Sequence, residues 1–150
     1  MKVSVAMCTY NGEKYIEEQL NSILNQTKKI DEIIICDDGS KDNTLKICDK
    51  ILKNSNVTYS IKKNKKNLGF ARNFYQAIRL CSGDIIFFCD QDDIWKENKV
   101  NLTCQVFDDN PNALLVFSNA HITNENLEIT GNLFSSLNYR DNYLNNQYDA

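Results

Sequence analysis

A chain of 150 residues with 17 basic and 20 acidic side chains has a formal net charge of −3, which argues against a general nucleic-acid-binding protein. Its 42% hydrophobic and 25% charged residues are typical of a globular domain and exclude an intrinsically disordered segment. No apolar run approaches the roughly 20 residues that cross a bilayer, and the N-terminal run lacks a secretory cleavage site. We therefore expect a cytoplasmic protein.

Short apolar runs alternate with helical patterns along the first three quarters of the sequence. The predicted strands are bounded by turn residues and cover residues 3–7, 32–36, 57–61, 84–89 and 113–118. Between them, residues recur with the spacing of a buried helical face, at Ile16, Leu20, Ile23 and Leu24, at Thr44, Cys48, Ile51 and Leu52, at Ala71, Phe74, Ala77, Ile78 and Cys81, and at Val100, Cys104 and Phe107. This alternation predicts an α/β fold, with a mostly parallel sheet flanked by helices.

The pattern weakens after Asn119, and the Asn- and Tyr-rich residues from about Gly131 onward predict no regular element. We therefore predict one domain over residues 1–130, followed by a poorly defined tail over residues 131–150. No internal repeat or linker indicates a second complete domain.

The cysteines are dispersed, with no C-x-x-C pair and no histidine cluster, at Cys8, Cys36, Cys48, Cys81, Cys89 and Cys104. Most lie among apolar neighbours, which predicts reduced thiols in the core. A structural zinc site is disfavoured because its ligands come in closely spaced pairs. The lone His121 is predicted to be structural or solvent-facing.

Polar clusters follow the ends of three predicted strands. They are Cys8-Thr9-Tyr10-Asn11-Gly12, Asp37-Asp38-Gly39-Ser40 and Asp90-Gln91-Asp92-Asp93. The carboxyl ends of parallel strands share one edge of a sheet, and ligands bind there where the strand order reverses. We therefore expect the three clusters to line one crevice.

The acidic cluster at residues 90–93 predicts a metal site. Several carboxylates so close together repel each other when they lose water, and Mg²⁺ or Mn²⁺ relieves this because both favour oxygen ligands. In an extended chain, Asp90 and Asp92 point to one side and Gln91 points away. The alternative is an acidic turn with helix-capping aspartates.

The other clusters indicate a nucleotide site. Asp37 and Asp38 can accept hydrogen bonds from a nucleobase or a ribose, and turn chemistry is the alternative. Tyr10 can stack on a base, while Thr9 supplies turn hydrogen bonds. Arg72, near the start of the third helix, suits a diphosphate or a structural ion pair.

Together these motifs resemble the family 2 glycosyltransferases of the GT-A (nucleotide-diphospho-sugar transferase, Rossmann-like) fold, over about residues 1 to 130. Further matching segments are Ser22-Ile23-Leu24-Asn25-Gln26-Thr27, Asn67-Leu68-Gly69, Ala71-Arg72-Asn73 and Ser82-Gly83-Asp84. The run from Asp90 to Trp95 is especially similar to bacterial rhamnosyltransferase-type members, which build cell-surface polysaccharides.

The resemblance implies a role for individual residues. Asp38 would contact the nucleobase, and Cys8, Thr9 and Tyr10 would line the nucleotide pocket. Asp90 would approach the ribose or the metal, and Asp92 would be the main protein ligand of Mn²⁺ or Mg²⁺. The implied reaction transfers a sugar, with inversion, from a UDP- or dTDP-type donor to a hydroxyl of a glycan or lipid-linked acceptor.

The sequence departs from the family at its end. The catalytic base is unknown and is expected beyond residue 150, because Glu125, Glu128, Asp141 and Asp149 lack the expected context. We thus expect a GT-A fold incomplete at its C-terminus, with weak or no transfer by this chain alone. The alternative is a non-catalytic nucleotide-sugar-binding module. Further expectations are self-association and a location at the inner face of the membrane.

Overall fold

A computed structural model describes residues 1–124 and 126–137. The chain divides into two compact units, one from Met1 to Asn101 and one that begins at Leu102. The predicted boundary between residues 130 and 131 stays a prediction. Of the described helices, none has the length and apolar character needed to span a bilayer.

The first unit is built on a four-stranded parallel sheet. Its strands are β1 (Val3–Thr9), β2 (Glu32–Asp37), β3 (Thr58–Lys63) and β4 (Ile85–Cys89), and the helices between them are α1 (Ile16–Leu24), α2 (Thr44–Lys53) and α3 (Phe70–Leu80). The strand order is β3-β2-β1-β4. The chain therefore adds β2 and β3 on one side of β1 and returns to its other side for β4. This reversal creates a crevice at the carboxyl ends of β1 and β4.

Burial explains why these runs form strands. Every residue of β1 and β2 is buried, as expected for central parallel strands that are covered on both faces. The edge strand β3 alternates between half-buried and exposed residues and ends in Lys62 and Lys63. Charged side chains on an edge strand disfavour pairing with another chain.

Helix α3 packs on one face of the sheet. Phe74 and Ala77 of the helix form a buried cluster with Ala6, Cys36 and other side chains of β1 and β2. None of the six cysteines, all of which lie in the described residues, forms a disulfide; five of them are buried and Cys81 is half-buried, which confirms the prediction of core thiols. The helix differs from its prediction at one position: Ala71 is exposed, whereas the polar Asn73 is buried.

A hydrogen-bonded clamp closes the amino-terminal edge of the sheet. The buried carboxylate of Glu32 accepts hydrogen bonds from Ser4 Oγ (2.5 Å), Ser82 N (2.8 Å) and Ser82 Oγ (2.8 Å). Burial opposes ionisation of this carboxyl, but the hydrogen bonds from Ser4 and Ser82 outweigh burial and lower the pKa of Glu32. Ser4 Oγ also accepts from Gly83 N at 2.9 Å. The backbone at Gly83 therefore lies directly against β1.

We expect Gly83→Ala to destabilise the protein. A Cβ at this position would lie 2.6 Å from Ser4 Oγ, 2.7 Å from Ser4 N and 2.9 Å from Lys2 O, and two of these atoms belong to the backbone. Overpacking of this kind costs about 1–3 kcal/mol, which urea unfolding would measure. Gly131→Ala is the matched control, because its Cβ meets nothing within 4 Å. Equal stabilities of the two variants would contradict the close contact.

Beyond Asn101, the structure differs from the prediction. Helix α4 (Lys99–Asp109) ends before Pro111 as predicted, but residues 113–118 are not a strand and belong to neither described sheet. An apolar run becomes a strand where another strand takes up its backbone hydrogen bonds. Here the run has no such neighbour in the described part of the chain, and Leu114 is 98% exposed.

The prediction of no regular element from Gly131 onward is wrong for residues 131–136, while residues 138–150 lie outside the described part of the chain. Strand β5 (His121–Thr123) pairs antiparallel with β6 (Ile129–Asn132), and a short helix α5 (Leu133–Ser136) follows. The Asn132 side chain caps α5 by accepting a hydrogen bond from Ser135 N at 2.9 Å. A side-chain cap of this kind stabilises the N-terminus of a helix even where the sequence has no apolar helical pattern. His121 is exposed. Glu125, Asp141 and Asp149 lie outside the described residues.

Candidate donor-nucleotide and metal site

One cavity of about 450 Å³ lies at the carboxyl ends of β1, β2 and β4. The register brings these ends together, since Thr9 pairs with Asp37 and Met7 pairs with Cys89. Six of the predicted site residues line the cavity: Cys8, Thr9, Tyr10, Asp38, Asp90 and Asp92. The expected convergence of the three polar clusters is therefore present in the structure. The volume lies in the usual range for small-molecule sites.

Asp37 and Arg72 are not among the described residues that line this cavity. Asp37 is fully buried, and its carboxylate accepts hydrogen bonds from Thr9 Oγ1 (3.0 Å), Gly39 N (3.1 Å), Ser40 N (2.9 Å) and Ser40 Oγ. Its acceptor positions are used by the turn, which favours turn chemistry over a nucleotide contact. Arg72 is exposed on α3, and its contact with a diphosphate stays a prediction.

Asp38 is held by the loop that precedes α3. Its Oδ1 accepts from Leu68 N at 2.7 Å and from Asn64 Nδ2 at 2.9 Å, and its Oδ2 accepts from Gly69 N at 2.9 Å. Burial opposes ionisation, but these three hydrogen bonds outweigh it and lower the pKa of Asp38. Oδ2 keeps a free lone pair, since an ionised carboxylate accepts about four hydrogen bonds. Asp38 is therefore a fixed anionic acceptor at the cavity surface.

Two buried asparagines support Asp38, and the sequence analysis did not assign them to the site. Asn64 Nδ2 also donates to Asn73 Oδ1 at 2.8 Å, and Asn73 Nδ2 donates to Cys36 O at 2.7 Å. Gln76 Nε2 completes the network by donating to Asn64 Oδ1 at 2.8 Å. The sequence signal was Asn73, a polar residue within the buried stripe of α3. A buried amide there needs partners on the neighbouring strand.

The loop after β1 is tied to the loop after β2. Asn11, which has a left-handed φ of 51°, donates from its backbone N to Ser40 Oγ and accepts at Oδ1 from Lys41 N. Gly12 N donates to Thr44 Oγ1 at 2.8 Å. These hydrogen bonds hold together the two loops that carry the cavity-lining residues Tyr10 and Asp38.

Cys8 lies in the cavity wall as a neutral thiol. Burial, followed by the charges of Cys36, Asp90 and Asp38, raises the pKa of Cys8 to about 12. A thiol must ionise to act as a nucleophile or as a metal ligand. Cys8 therefore contributes packing and shape to the cavity.

The acidic loop carries carboxylates without hydrogen-bond partners. In the described residues, the side chains of Asp90 and Asp92 accept no hydrogen bond, although both line the cavity. Partial loss of water, then the charges of Asp93 and Asp92, raise the pKa of Asp90. Partial loss of water, then the charge of Asp92, likewise raises the pKa of Asp93. The loop therefore holds concentrated negative charge, which Lys99 offsets only in part at Asp93.

These residues fit a divalent cation. In the described residues there is no group of three or more His, Cys, Asp or Glu side chains that forms a complete protein cage. Mg²⁺-type sites, however, use one or two carboxylates together with water and substrate phosphates. The pair Asp90 and Asp92 suits such a site. The chain bends at Gln91 and Asp92, so the alternation expected for an extended chain does not apply.

An aromatic side chain that was not predicted stands at the cavity mouth. Phe70, the first residue of α3, lines the cavity and is 70% exposed. Its ring centroid lies 4.8 Å from that of Phe74, so the two rings are in contact. Tyr10 is 49% exposed on the same cavity. The cavity thus offers aromatic surface as well as charge.

We expect Asp90→Asn to stabilise the metal-free protein slightly at pH 7. The raised pKa of Asp90 means that its ionised form is disfavoured in the fold, first by partial loss of water and then by the charges of Asp93 and Asp92, so removing the charge removes both costs. The gain should stay below about 1 kcal/mol, because solvent screens an exposed carboxylate. It should vanish below the ordinary value of 3.8, where the carboxyl is protonated in both states.

Urea unfolding at pH 7 and at about pH 2.5, well below the ordinary value of 3.8, would measure this difference. Asp108→Asn, an exposed position on α4, is the control and should leave stability unchanged at both pH values. A loss of stability in Asp90→Asn at pH 7 would contradict an unfavourable charge at Asp90 in the folded protein.

The chain is similar to bacterial glycosyltransferases. It is 40% identical over 125 residues to the dTDP-rhamnosyl transferase RfbG of Shigella flexneri, covering 81% of this chain and 40% of that protein. It is 35% identical over 124 residues to the Escherichia coli UDP-Glc:alpha-D-GlcNAc-diphosphoundecaprenol beta-1,3-glucosyltransferase WfgD, covering 83% and 47%. The chain thus spans less than half the length of these relatives. The predicted likeness to rhamnosyltransferase-type members is confirmed.

Solved structures confirm the fold. TarS of S. aureus in complex with UDP matches with a TM-score of 0.68 and 26% identity, covering 85% of this chain and 43% of that chain. The mannosyltransferase PcManGT of Pyrobaculum calidifontis, solved with GDP-Man and Mn²⁺, matches with a TM-score of 0.63 and 25% identity, covering 68% and 31%. The fold is therefore GT-A. The family model "Glycosyl transferase family 2" matches residues 4–149, and the chain belongs to this family.

Proposed function

We propose that this chain binds a nucleotide-diphosphate sugar together with Mn²⁺ or Mg²⁺ in the cavity at the carboxyl ends of the strands. The observation that carries the proposal is the meeting of a fixed acceptor, Asp38, with two unpartnered carboxylates, Asp90 and Asp92, in one cavity. A nucleotide-diphosphate sugar has a hydrogen-bond-donating base at one end and a metal-binding diphosphate at the other, which suit Asp38 and the acidic pair respectively. A base and ribose would lie toward Asp38, and the diphosphate would lie toward the acidic loop.

The residues that line the cavity on its nucleobase side have separate roles in binding the donor. Asp38 accepts a hydrogen bond from a nucleobase N–H, and its lowered pKa keeps it ionised across physiological pH. Tyr10 lies against the base through its exposed ring. The Cys8 thiol and Thr9 exclude water from the floor of the site, since both are buried.

The metal would be held by Asp92 and Asp90. When bound, a divalent cation neutralises the charge that develops on the departing diphosphate. The two carboxylates orient the metal, and their own repulsion falls when it binds. We assign no catalytic base among the described residues.

For the protein as a whole, we propose inverting sugar transfer to an acceptor hydroxyl in bacterial cell-surface polysaccharide synthesis. The relatives RfbG and WfgD support this assignment, and WfgD supports a lipid-linked acceptor. RfbG favours a dTDP donor, whereas WfgD favours a UDP donor. A cytoplasmic location at the inner face of the membrane would give access to such an acceptor.

The test is thermal unfolding of the chain with UDP, dTDP or GDP, in the presence and absence of Mn²⁺. A ligand at 100 times its Kd stabilises the folded state by roughly 2.7 kcal/mol, so a clear rise in Tm is expected for UDP or dTDP with Mn²⁺. AMP with Mn²⁺ is the control and should give no rise. The proposal would be contradicted if Mn²⁺ raised the Tm with none of the three nucleoside diphosphates.

Turnover distinguishes an enzyme from a binding module. Release of UDP or dTDP from the corresponding sugar donor, followed by chromatography, measures donor hydrolysis. Binding together with release supports a catalytic chain. Binding without release, with or without an acceptor glycan, supports the non-catalytic module.

A further inference from the structure

Gln91 stands between the two proposed metal ligands, yet its side chain is turned to the backbone of another loop. Tyr10 N donates a hydrogen bond to Gln91 Oε1 at 2.8 Å, and Gln91 Nε2 donates to Tyr10 O at 3.2 Å. One side-chain amide therefore satisfies both polar groups of one peptide residue. This contact lies just past the last register pair of β1 and β4, Met7 with Cys89.

Gly12 provides the space for this contact. A Cβ built on Gly12 would overlap the Gln91 amide and would lie 2.5 Å from its Cδ and 3.1 Å from its Cγ. The backbone of Gly12 is not in the left-handed region that favours glycine. The absence of a side chain at residue 12 is thus required by the Gln91 amide rather than by the local backbone. We call Tyr10, Gly12 and Gln91 the amide clamp.

We propose that Gln91 is a positioning residue, and that the amide clamp couples the nucleobase side of the cavity to its metal side. This rests on the proposed function of the cavity. Asp90 and Asp92 are the chain neighbours of Gln91, so fixing the Gln91 side chain limits where both carboxylates lie. The same two hydrogen bonds fix the backbone of Tyr10, which sets where its exposed ring leaves the chain on the cavity.

The clamp has a direct consequence for binding. Ordering the loop before the ligand arrives reduces the entropy lost when the metal and the diphosphate bind. Residues that support metal ligands typically contribute about 10- to 100-fold to metal affinity. We therefore expect the clamp to raise the Mn²⁺-dependent affinity for a nucleotide diphosphate by about 10- to 100-fold, with a smaller effect on binding without metal.

A first experiment tests the clamp in the ligand-free chain. Hydrogen exchange of the Tyr10 amide is measured by NMR in the wild type, Gln91→Ala, Gly12→Ala and the double variant. Tyr10 exchange should be faster in all three variants, and the double variant should match Gln91→Ala, because the clash disappears with the amide. Gln105→Ala, an exposed glutamine on α4, is the matched control and should exchange as the wild type does.

Unchanged Tyr10 exchange in Gln91→Ala would overturn the clamp. Additive effects of Gly12→Ala and Gln91→Ala would also overturn it, because they would show that Gly12 acts apart from Gln91. Urea unfolding of each variant shows that the compared proteins are folded.

A second experiment measures the Kd of UDP and dTDP by calorimetry with and without Mn²⁺. The proposal predicts that the affinity gain on adding Mn²⁺ falls about 10- to 100-fold in Gln91→Ala and equally in Gly12→Ala, and stays unchanged in Gln105→Ala. An effect of Gln91→Ala with none of Gly12→Ala would indicate that Gln91 contacts the ligand directly, and would overturn the proposal. If the wild type binds the nucleotide and neither variant changes the affinity gain on adding Mn²⁺, the coupling is overturned and the proposed function stands. No binding by the wild type overturns the proposed function and the coupling with it.

Discussion

Replacing Asp92 by asparagine should remove the Mn²⁺-dependent part of nucleotide binding and leave the free energy of unfolding nearly unchanged. Asp92 is exposed, and its carboxylate has no hydrogen-bond partner in the described residues, so the fold does not depend on it. A neutral amide is a much weaker ligand for a hard cation than a carboxylate. We expect a loss of about 100-fold, the upper end of the range for residues that merely support metal ligands.

Calorimetry of UDP and dTDP with and without Mn²⁺ measures this loss, and urea unfolding measures stability. Asp108→Asn makes the same chemical change at an exposed position on α4 and should bind as the wild type does. If Asp92→Asn kept its Mn²⁺-dependent affinity, the metal would have to be placed outside the acidic loop.

The Asp38→Asn variant should lose about 2–3 kcal/mol of stability at pH 7. Asparagine keeps one acceptor oxygen but places an NH₂ group against one of the buried donors, Leu68 N or Gly69 N. It also removes the negative charge that strengthens all three hydrogen bonds. The loop before α3 would lose its anchor, and nucleotide affinity should fall with it.

The lowered pKa of Asp38 determines how this loss of stability changes with pH. The pKa of Asp38 is lowered in the fold, so its contribution is complete above the ordinary value of 3.8 and is lost as the pH falls through the folded value. The stability difference between wild type and Asp38→Asn should therefore be full at pH 7 and should shrink below about pH 3.8. Chemical unfolding at several pH values measures it, with Asp108→Asn as the control. Equal stability of wild type and Asp38→Asn at pH 7 would show that the three hydrogen bonds contribute nothing.

The sheet and the convergence of its loops could be predicted because they depend on local pattern. Continuous apolar runs define the central strands β1 and β2, and a parallel sheet brings its carboxyl ends to one edge. Cys8, Asp38 and Asp92 are therefore found in one cavity as expected. No knowledge of the side-chain contacts was needed for this step.

The supporting residues could not be predicted because their roles depend on contacts across the sheet. Asp37 and Asp38 are adjacent in sequence, yet one faces the turn and the other faces the cavity. The residue types alone do not distinguish them, and only the family resemblance singled out Asp38. Asn73 and Gln91 act on backbone groups of distant segments, at Cys36 and Tyr10. The wrong prediction of a strand at residues 113–118 has the same cause. An apolar run forms a strand only where a second strand lies beside it, and the sequence of the run does not show whether one does.

The position of β1 between β2 and β4 also has a consequence for biosynthesis. Ser4 pairs with Glu32, whereas Val3 pairs with Ile85. The pairing of β1 with β4 therefore joins the residues that lie farthest apart in sequence, and β4 is the last strand of the described sheet to leave the ribosome. The wall that carries Asp38 can form before that event, but the wall that carries Asp90 and Asp92 cannot. Under the proposed function, a nascent chain would thus acquire affinity for a metal-bound nucleotide abruptly, when β4 emerges from the ribosome, and ligand capture would report completion of the sheet.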